Sequence, residues 1–358
     1  MKTLISTFMA TAMLAGAGIA AAQTAAKAET VNITVAAGHP PVFRWVKHLN
    51  QTFIPAVNEA LEGSEITVNW SEQYGGSLAK VGGVLEAVEV GLAEVGLVSS
   101  LFEAAKLSPQ NVTYFTPFVS TDATAISNLI DGLHEENSEL RQSWEENNLE
   151  YLGAAIGIDD YLLMTTFPVN SIDDLDGQKI GAPGPAVNWL EGTGAIGVSG
   201  NLTTYYNEIK TGVYDGVIVF ATAALPGKLY EVAPYVTKVG FGAQYAGGIA
   251  ANKDWFDAQP EALQNALRKA GAAQRDAYHE DLEAAISASL EAMAANGATI
   301  TEVSPDFRTQ WAAGMDNVAK EWAAQLDSEG KPGTDVLKVY MDAMRNAGAT
   351  PIRNWDQE

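Results

Sequence analysis

Residues 31–41 read VNITVAAGHPP, and this stretch decides the fold class. Val31–Ala37 is a β-branched run, the composition of a strand. Gly38-His39 ends it, and Pro40-Pro41 opens a helix predicted from Val42 to about Leu61. Proline costs nothing at a helix start, because the first N–H groups have no partner within the helix. The same strand–turn–helix pattern repeats outward. Strands are expected at Ile66–Trp70, Val95–Val98, Leu152–Ile158, Tyr161–Thr166, Gln178–Ala182 and Val217–Phe220. Helices are expected at Val81–Val90, Ala123–Asn148, Ala186–Gly194 and Tyr205–Thr211. From Pro260 onward the pattern becomes helical and Ala-rich, with stretches near 260–296, 305–328 and 334–346. Alternation of this kind predicts an α/β protein whose largely parallel sheets are covered by helices.

The chain has 358 residues, enough for two lobes with separate cores. With no Pro- or Ser-rich linker between them, the lobes are expected to be joined by crossing strands that make a hinge. Net charge is -23, from 21 Lys+Arg against 44 Asp+Glu. Such a surface repels phosphate backbones and anionic lipid, which disfavours a nucleic-acid binder or a membrane-surface protein. Zero cysteines exclude disulfides and thiolate chemistry. Four histidines leave little room for His-based metal sites. His134 and His279 sit among acidic residues and are expected on solvated helix faces.

Residues 1–28 read MKTLISTFMATAMLAGAGIAAAQTAAKA. Lys2 supplies the charged start, Leu4 to Ala22 is an uncharged apolar run, and cleavage sites are expected after Ala22 or Ala28. This is the pattern of a secretory signal peptide, so the protein is expected in the periplasm with no membrane insertion after processing. Removal deletes two lysines and no acids, taking the net charge to -25.

Nucleotide-binding, metalloprotease and nucleophile-elbow motifs are absent, and no catalytic residue, metal ligand or cofactor is expected. Asp173-Asp174-Leu175-Asp176-Gly177 lacks the alternation of a calcium loop and reads as a polar turn. Asp159-Asp160 could serve as paired carboxylates in a secreted enzyme, but neighbours in a strand point to opposite faces.

Three segments carry a family likeness. They are Gly76-Ser77-Leu78 with Leu85-Glu86-Ala87-Val88-Glu89-Val90-Gly91; Ile172-Asp173-Asp174-Leu175-Asp176-Gly177-Gln178-Lys179-Ile180; and Tyr206-Asn207-Glu208-Ile209-Lys210-Thr211-Gly212-Val213-Tyr214-Asp215-Gly216 with Leu229-Tyr230-Glu231-Val232-Ala233. In this order they resemble the extracytoplasmic solute receptors of TRAP transporters (tripartite ATP-independent periplasmic, DctP-like). The resemblance implies a two-lobed, periplasmic-binding-protein-like fold with crossing strands, a long interdomain helix and a helical C-terminal part. Lobe I would comprise 29–156 plus about 240–284; lobe II would comprise 157–239 plus about 285–358. The implied partners are a small organic acid and the membrane permease subunits.

The second segment departs from the family pattern. Where relatives continue with an Arg that forks onto a substrate carboxylate, this chain has Gly181. A missing guanidinium disfavours a C4-dicarboxylate and is expected to leave an opening for a ring. Trp189 and Tyr161 are placed nearby, and Phe118, Phe220 and Tyr245 fall where relatives place pocket walls; Trp189 and Phe118 read equally as core. For a carboxylate the candidates are His39, at the mouth of a helix whose free N–H groups favour an anion, Arg44 one turn along, Lys80, and Ser99 at a strand end. The expected ligand is an aromatic or partly apolar monocarboxylate such as a hydroxybenzoate. A C4-dicarboxylate, keto acid or sugar acid, or a role in sensing, remains an alternative.

Overall fold

The computed structural model describes residues 29–358 except 137, 155 and 281. The expected signal peptide therefore lies outside the described residues. The chain starts with β1 (Glu29–Ala37), whose Val31, Ile33 and Val35 alternate inward as a half-buried strand demands. It continues through a helix in three pieces: α1 (Arg44–His48), a π-helical turn (Leu49–Phe53) and α2 (Ile54–Ala60). Then come β2 (Ile66–Gln73), α3 (Val84–Glu89), β3 (Val95–Val98), α4 (Ala123–Glu136), α5 (Ser138–Glu145) and β4 (Leu149–Tyr151). The expected strand Leu152–Ile158 is broken at its start. Gly153 (φ 87) and Ala154 (φ 60) turn the backbone left-handed, a region that ends pairing.

After this turn the chain leaves the first sheet through β5 (Gly157–Ile158) and enters the second at β6 (Tyr161–Thr165). The second sheet adds β7 (Lys179–Pro183) and β8 (Ile196–Gly200), then, after α6 (Tyr205–Lys210), β9 (Gly216–Phe220). The short α7 (Ala221–Ala224) and β10 (Tyr235–Lys238) follow. The expected helix Ala186–Gly194 is instead a 3-10 segment, Gly184–Leu190, with Pro185 at its start. Ser171 and Asp174 form a reciprocal capping box ahead of β7, so Asp173-Asp174 is a polar turn.

The chain returns through β11 (Gln244–Tyr245), which pairs antiparallel with β5, into β12 (Gly248–Asn252). The first sheet is thus ordered β2-β1-β3-β12-β4, and β5/β11 is a separate two-stranded ribbon between the sheets. Helices α8 (Lys253–Asp257), α9 (Glu261–Glu280) and α10 (Leu282–Ala295) come next. α9 presents Leu263, Ala266, Leu267, Ala270 and Gln274 to α2 and the π turn, whereas α10 reaches α7. The pair therefore spans both lobes. β13 (Thr299–Glu302) then completes the second sheet as β13-β10-β6-β9-β7-β8. α11 (Pro305–Gly314), α12 (Val318–Ser328) and α13 (Gly333–Asn346) finish the chain. α12 and α13 pack on the 3-10 segment Ser108–Phe115, and α13 also on α4, so the C-terminal region touches elements of the first lobe. This is an α/β fold of two lobes with crossing strands, as expected. Strands β4, β8, β10, β11, β12 and β13 lie in stretches without a strand expectation.

His134 and His279 are buried, not solvated. Trp144 Nε1 donates to His134 Nε2 at 3.0 Å, which leaves Nδ1–H for the Ile130 carbonyl at 2.8 Å. His279 lies against the ribbon, beneath Gly157.

The Asp159 carboxylate ties the segment after β5 to the start of α7, and that of Asp160 ties it to Gly242, just ahead of β11. The two take different partners. Asp159 accepts hydrogen bonds from Thr222 Oγ1 (2.6 Å) and N (3.2 Å) at the start of α7, and Asp160 accepts one from Gly242 N (2.8 Å). Their roles are anchoring. Burial pushes Asp159 up to about 6 and Asp160 up to about 7, against Arg308, which favours the ionised form of Asp160.

Two outcomes are expected from the hinge. A methyl group at Gly157 would overlap the Ala123 carbonyl oxygen, so Gly157→Ala should lower stability by about 3 kcal/mol in chemical denaturation. The raised native pKa values of both acids mean that the native state binds more protons than the unfolded chain between about pH 4 and 7. Stability from these groups therefore falls as pH rises through that window. His39 and His134, pushed down to about 4 by burial, oppose this below the usual 6.5. Asp160→Asn isolates the acid: its melting temperature should match wild type near pH 4 and exceed it by roughly 3–6 °C at pH 8.

Candidate ligand site

A cleft opens between the lobes where β1, β3 and β9 end and β6 begins. Its lining residues surround about 480 Å³ of atom-free space, part of it open to solvent. Lobe I contributes His39, Trp45, Leu97, Ser99, Leu101 and Phe102. Lobe II contributes Tyr161, Pro183, Tyr205, Ile218 and Phe220, while Tyr114, Ile156 and Ile158 close the base. Among the described residues that line it, none is Lys, Arg, Asp or Glu.

His39 ends β1, and its ring is held edge-on by Phe43 and Trp45, with centroids 5.7 Å away at 89° and 86°. Its carbonyl accepts Gly75 N–H at 3.0 Å, while Nε2 is buried and has no partner. Desolvation alone pushes the imidazole down to about 4, so it is neutral at pH 7. At the helix start, Val46 and Lys47 N–H donate to the Phe43 carbonyl, and Phe43 N–H donates to that of Pro40.

An aromatic chain crosses the cleft. Trp45 of lobe I meets Phe220 of lobe II at 5.6 Å, and Phe220 meets Tyr161 at 5.1 Å. Tyr161 Oη and Tyr114 Oη are 2.9 Å apart. Burial raises both phenols, and Tyr205 likewise, so all three stay protonated. Tyr205 Oη is buried without a partner. His39 and Tyr205 thus offer one unspent polar atom from each lobe in an otherwise apolar slot.

Of the residues singled out in the sequence, His39, Ser99, Tyr161 and Phe220 line the cleft together. The other six lie elsewhere. Trp189 is fully buried behind Tyr114, stacked at 5.8 Å with Nε1 donating to the Tyr114 carbonyl at 2.7 Å. Phe118 packs on Phe241 and beneath the Arg308 guanidinium. Tyr245 is buried at the ribbon, where Tyr151 and His134 surround it. Arg44 is half-buried on the outer side of α1, and Lys80 is exposed, its stem against Gly76. At Gly181 there is no opening: a methyl group there would sit 2.9 Å from Tyr214 Cδ2 and Cε2. One at Gly200, on the adjacent strand, would sit 2.7 Å from Tyr214 Oη and Tyr205 Cε1. The two glycines make room for two tyrosines. Trp45, Phe102, Tyr114 and Tyr205 had no expectation attached. Of these, Trp45 alone had a positional signal, one turn beyond Pro41.

A family model described as DctP, bacterial extracellular solute-binding protein, family 7, matches residues 36–326. Similar solved structures include a TRAP periplasmic solute-binding protein from Sulfitobacter sp. NAS-14.1 with bound β-D-galacturonate. It is 20% identical, with a TM-score of 0.74, over 87% of this chain and 99% of that one. DctP7, an extracytoplasmic solute receptor of Bordetella pertussis that binds pyroglutamic acid, is 19% identical with a TM-score of 0.72, over 88% and 99%. The periplasmic ectoine-binding protein of the TeaABC TRAP transporter of Halomonas elongata is 20% identical with a TM-score of 0.75, over 88% of this chain and 99% of that one. These likenesses show a shared fold. No curated protein matches the chain.

Because Tyr205 Oη has no partner to lose, Tyr205→Phe should leave the melting temperature within about 1 °C of wild type or raise it slightly. A clear loss of stability in a thermal melt would mean that the hydroxyl is already engaged.

Proposed function

The chain belongs to the DctP family, family 7 of the bacterial extracellular solute-binding proteins, and on that premise we propose that it captures a small organic acid in the periplasm and delivers it to the membrane subunits of a TRAP transporter. Residues 1–28 would direct export and be removed. The lobes, 29–156 plus about 240–284 and 157–239 plus about 285–358, would close on the solute about the β5/β11 ribbon.

The observation that carries the choice of ligand is the wall itself: aromatic rings from both lobes and no cation among the described residues that line it. Two carboxylates would bring two charges out of water with no guanidinium to meet them, at several kcal/mol each. One carboxylate can sit at the polar end beside His39 and Ser99 while a ring lies among Trp45, Tyr161 and Phe220. Aromatic faces supply apolar burial and favourable ring contacts. An aromatic monocarboxylate such as a hydroxybenzoate fits both demands. The relatives above hold galacturonate, pyroglutamic acid and ectoine, which sets the size class. Ligand would shift the open–closed balance only by its preference for the closed form.

Thermal-shift screening of the processed protein with 4-hydroxybenzoate, pyruvate, galacturonate and succinate tests this reading. At 100 times its Kd a ligand adds about 2.7 kcal/mol of stability, so 4-hydroxybenzoate should give a clear rise. Phe220→Ala should weaken it about tenfold or more, with unchanged circular dichroism. Stabilisation by succinate with no response to aromatic acids would overturn the ligand assignment.

A further inference from the structure

We infer, resting on the organic-acid reading above, that His39 takes up a proton as the acid binds, so that the receptor captures each acid anion together with one proton. Among the described residues that line the slot, His39 alone can become a cation. Its Nε2 is buried and unpartnered, the residue lines the slot, and Phe43 and Trp45 pack edge-on against the ring. In the empty cleft nothing compensates burial, so the imidazole stays neutral.

A carboxylate at Nε2 reverses that balance. An opposite charge within about 4 Å raises an imidazole's pKa by units, and a desolvated carboxylate alone is costly. One shared proton answers both. The step balances: one carboxylate, one neutral imidazole and one proton from solvent give an imidazolium–carboxylate pair, with no bond to carbon formed or broken.

The charged and titratable groups around His39 do not compete for this role. On α1, Arg44 has partners of its own. In the loop beneath, Lys80 is exposed and the Tyr74 phenol is held un-ionised by burial and Glu72. After the 3-10 turn carrying Phe102, burial pushes the Glu103 carboxyl above its ordinary pKa. Across the slot stand the protonated phenols of Tyr114, Tyr161 and Tyr205, with Asp159 behind them tied to Thr222.

Calorimetric titration of the processed protein with 4-hydroxybenzoate in phosphate and in Tris at pH 7.5 tests the proposal. The enthalpies should differ by the buffers' ionisation heats for about one proton taken up per acid. Kd should rise about tenfold per pH unit between pH 6 and 8. His39→Gln should abolish both the uptake and the pH slope, whereas Asp160→Asn should keep them. In wild type the His39 Cε1–H resonance should move to its protonated position on binding, a readout that needs no variant. Binding with equal enthalpies in both buffers and a flat pH profile would overturn the His39 inference and leave the acid reading standing. Binding of 4-hydroxybenzamide but not the acid would overturn the acid reading itself.

Discussion

A charge carried into this cleft leaves water and meets no fixed opposite charge among the described residues that line it. Everything about the binding surface follows from that constraint. Walls of Trp45, Phe102, Tyr161, Ile218 and Phe220 exclude water and return free energy in proportion to the apolar area covered, whatever the solute's identity. Selectivity must then come from the few polar atoms left unsatisfied. His39 Nε2 and Tyr205 Oη stand on different lobes, so a solute that serves both also ties the lobes together.

The frame that permits closure is thin. Two short strands, β5 and β11, and the α9–α10 helix pair carry the connections between the sheets. Thin connections bend easily, but they must not slip. Asp159 and Asp160 prevent slippage by gripping Thr222 and Gly242, each by a carboxylate taken out of water. Burying carboxylates costs stability at neutral pH, and the gain is a defined register across the ribbon and against α7.

Fold class was legible because strand–helix alternation is written in short-range composition. β1 is a clear case: VNITVAA cannot hide as a helix beside GHPP. Strands such as β12, GIAAN, are buried on both faces and lack alternation, so nothing local distinguishes them from an Ala-rich helix end. His134 and His279 misled for a related reason. Acidic neighbours suggested a wet face, yet a single helix position can turn inward if Trp144 and the Ile130 carbonyl saturate the ring. In the site, residues at strand ends, His39, Ser99, Tyr161 and Phe220, were legible because strand ends in two facing sheets converge. Trp189 and Tyr245 sit one layer too deep, a distance that spacing along the chain does not encode.

The nested glycines and tyrosines set the terms on which this binding surface can be altered by descent or by engineering. Tyr214 occupies the volume that a long side chain at position 181 would need, and Gly200 yields space to Tyr214 and Tyr205 at once. Enlarging 181 alone produces a collision; shrinking 214 alone produces a void. The cost of changing either position therefore depends on what occupies the other, and substitutions at 181 and 214 should not add independently.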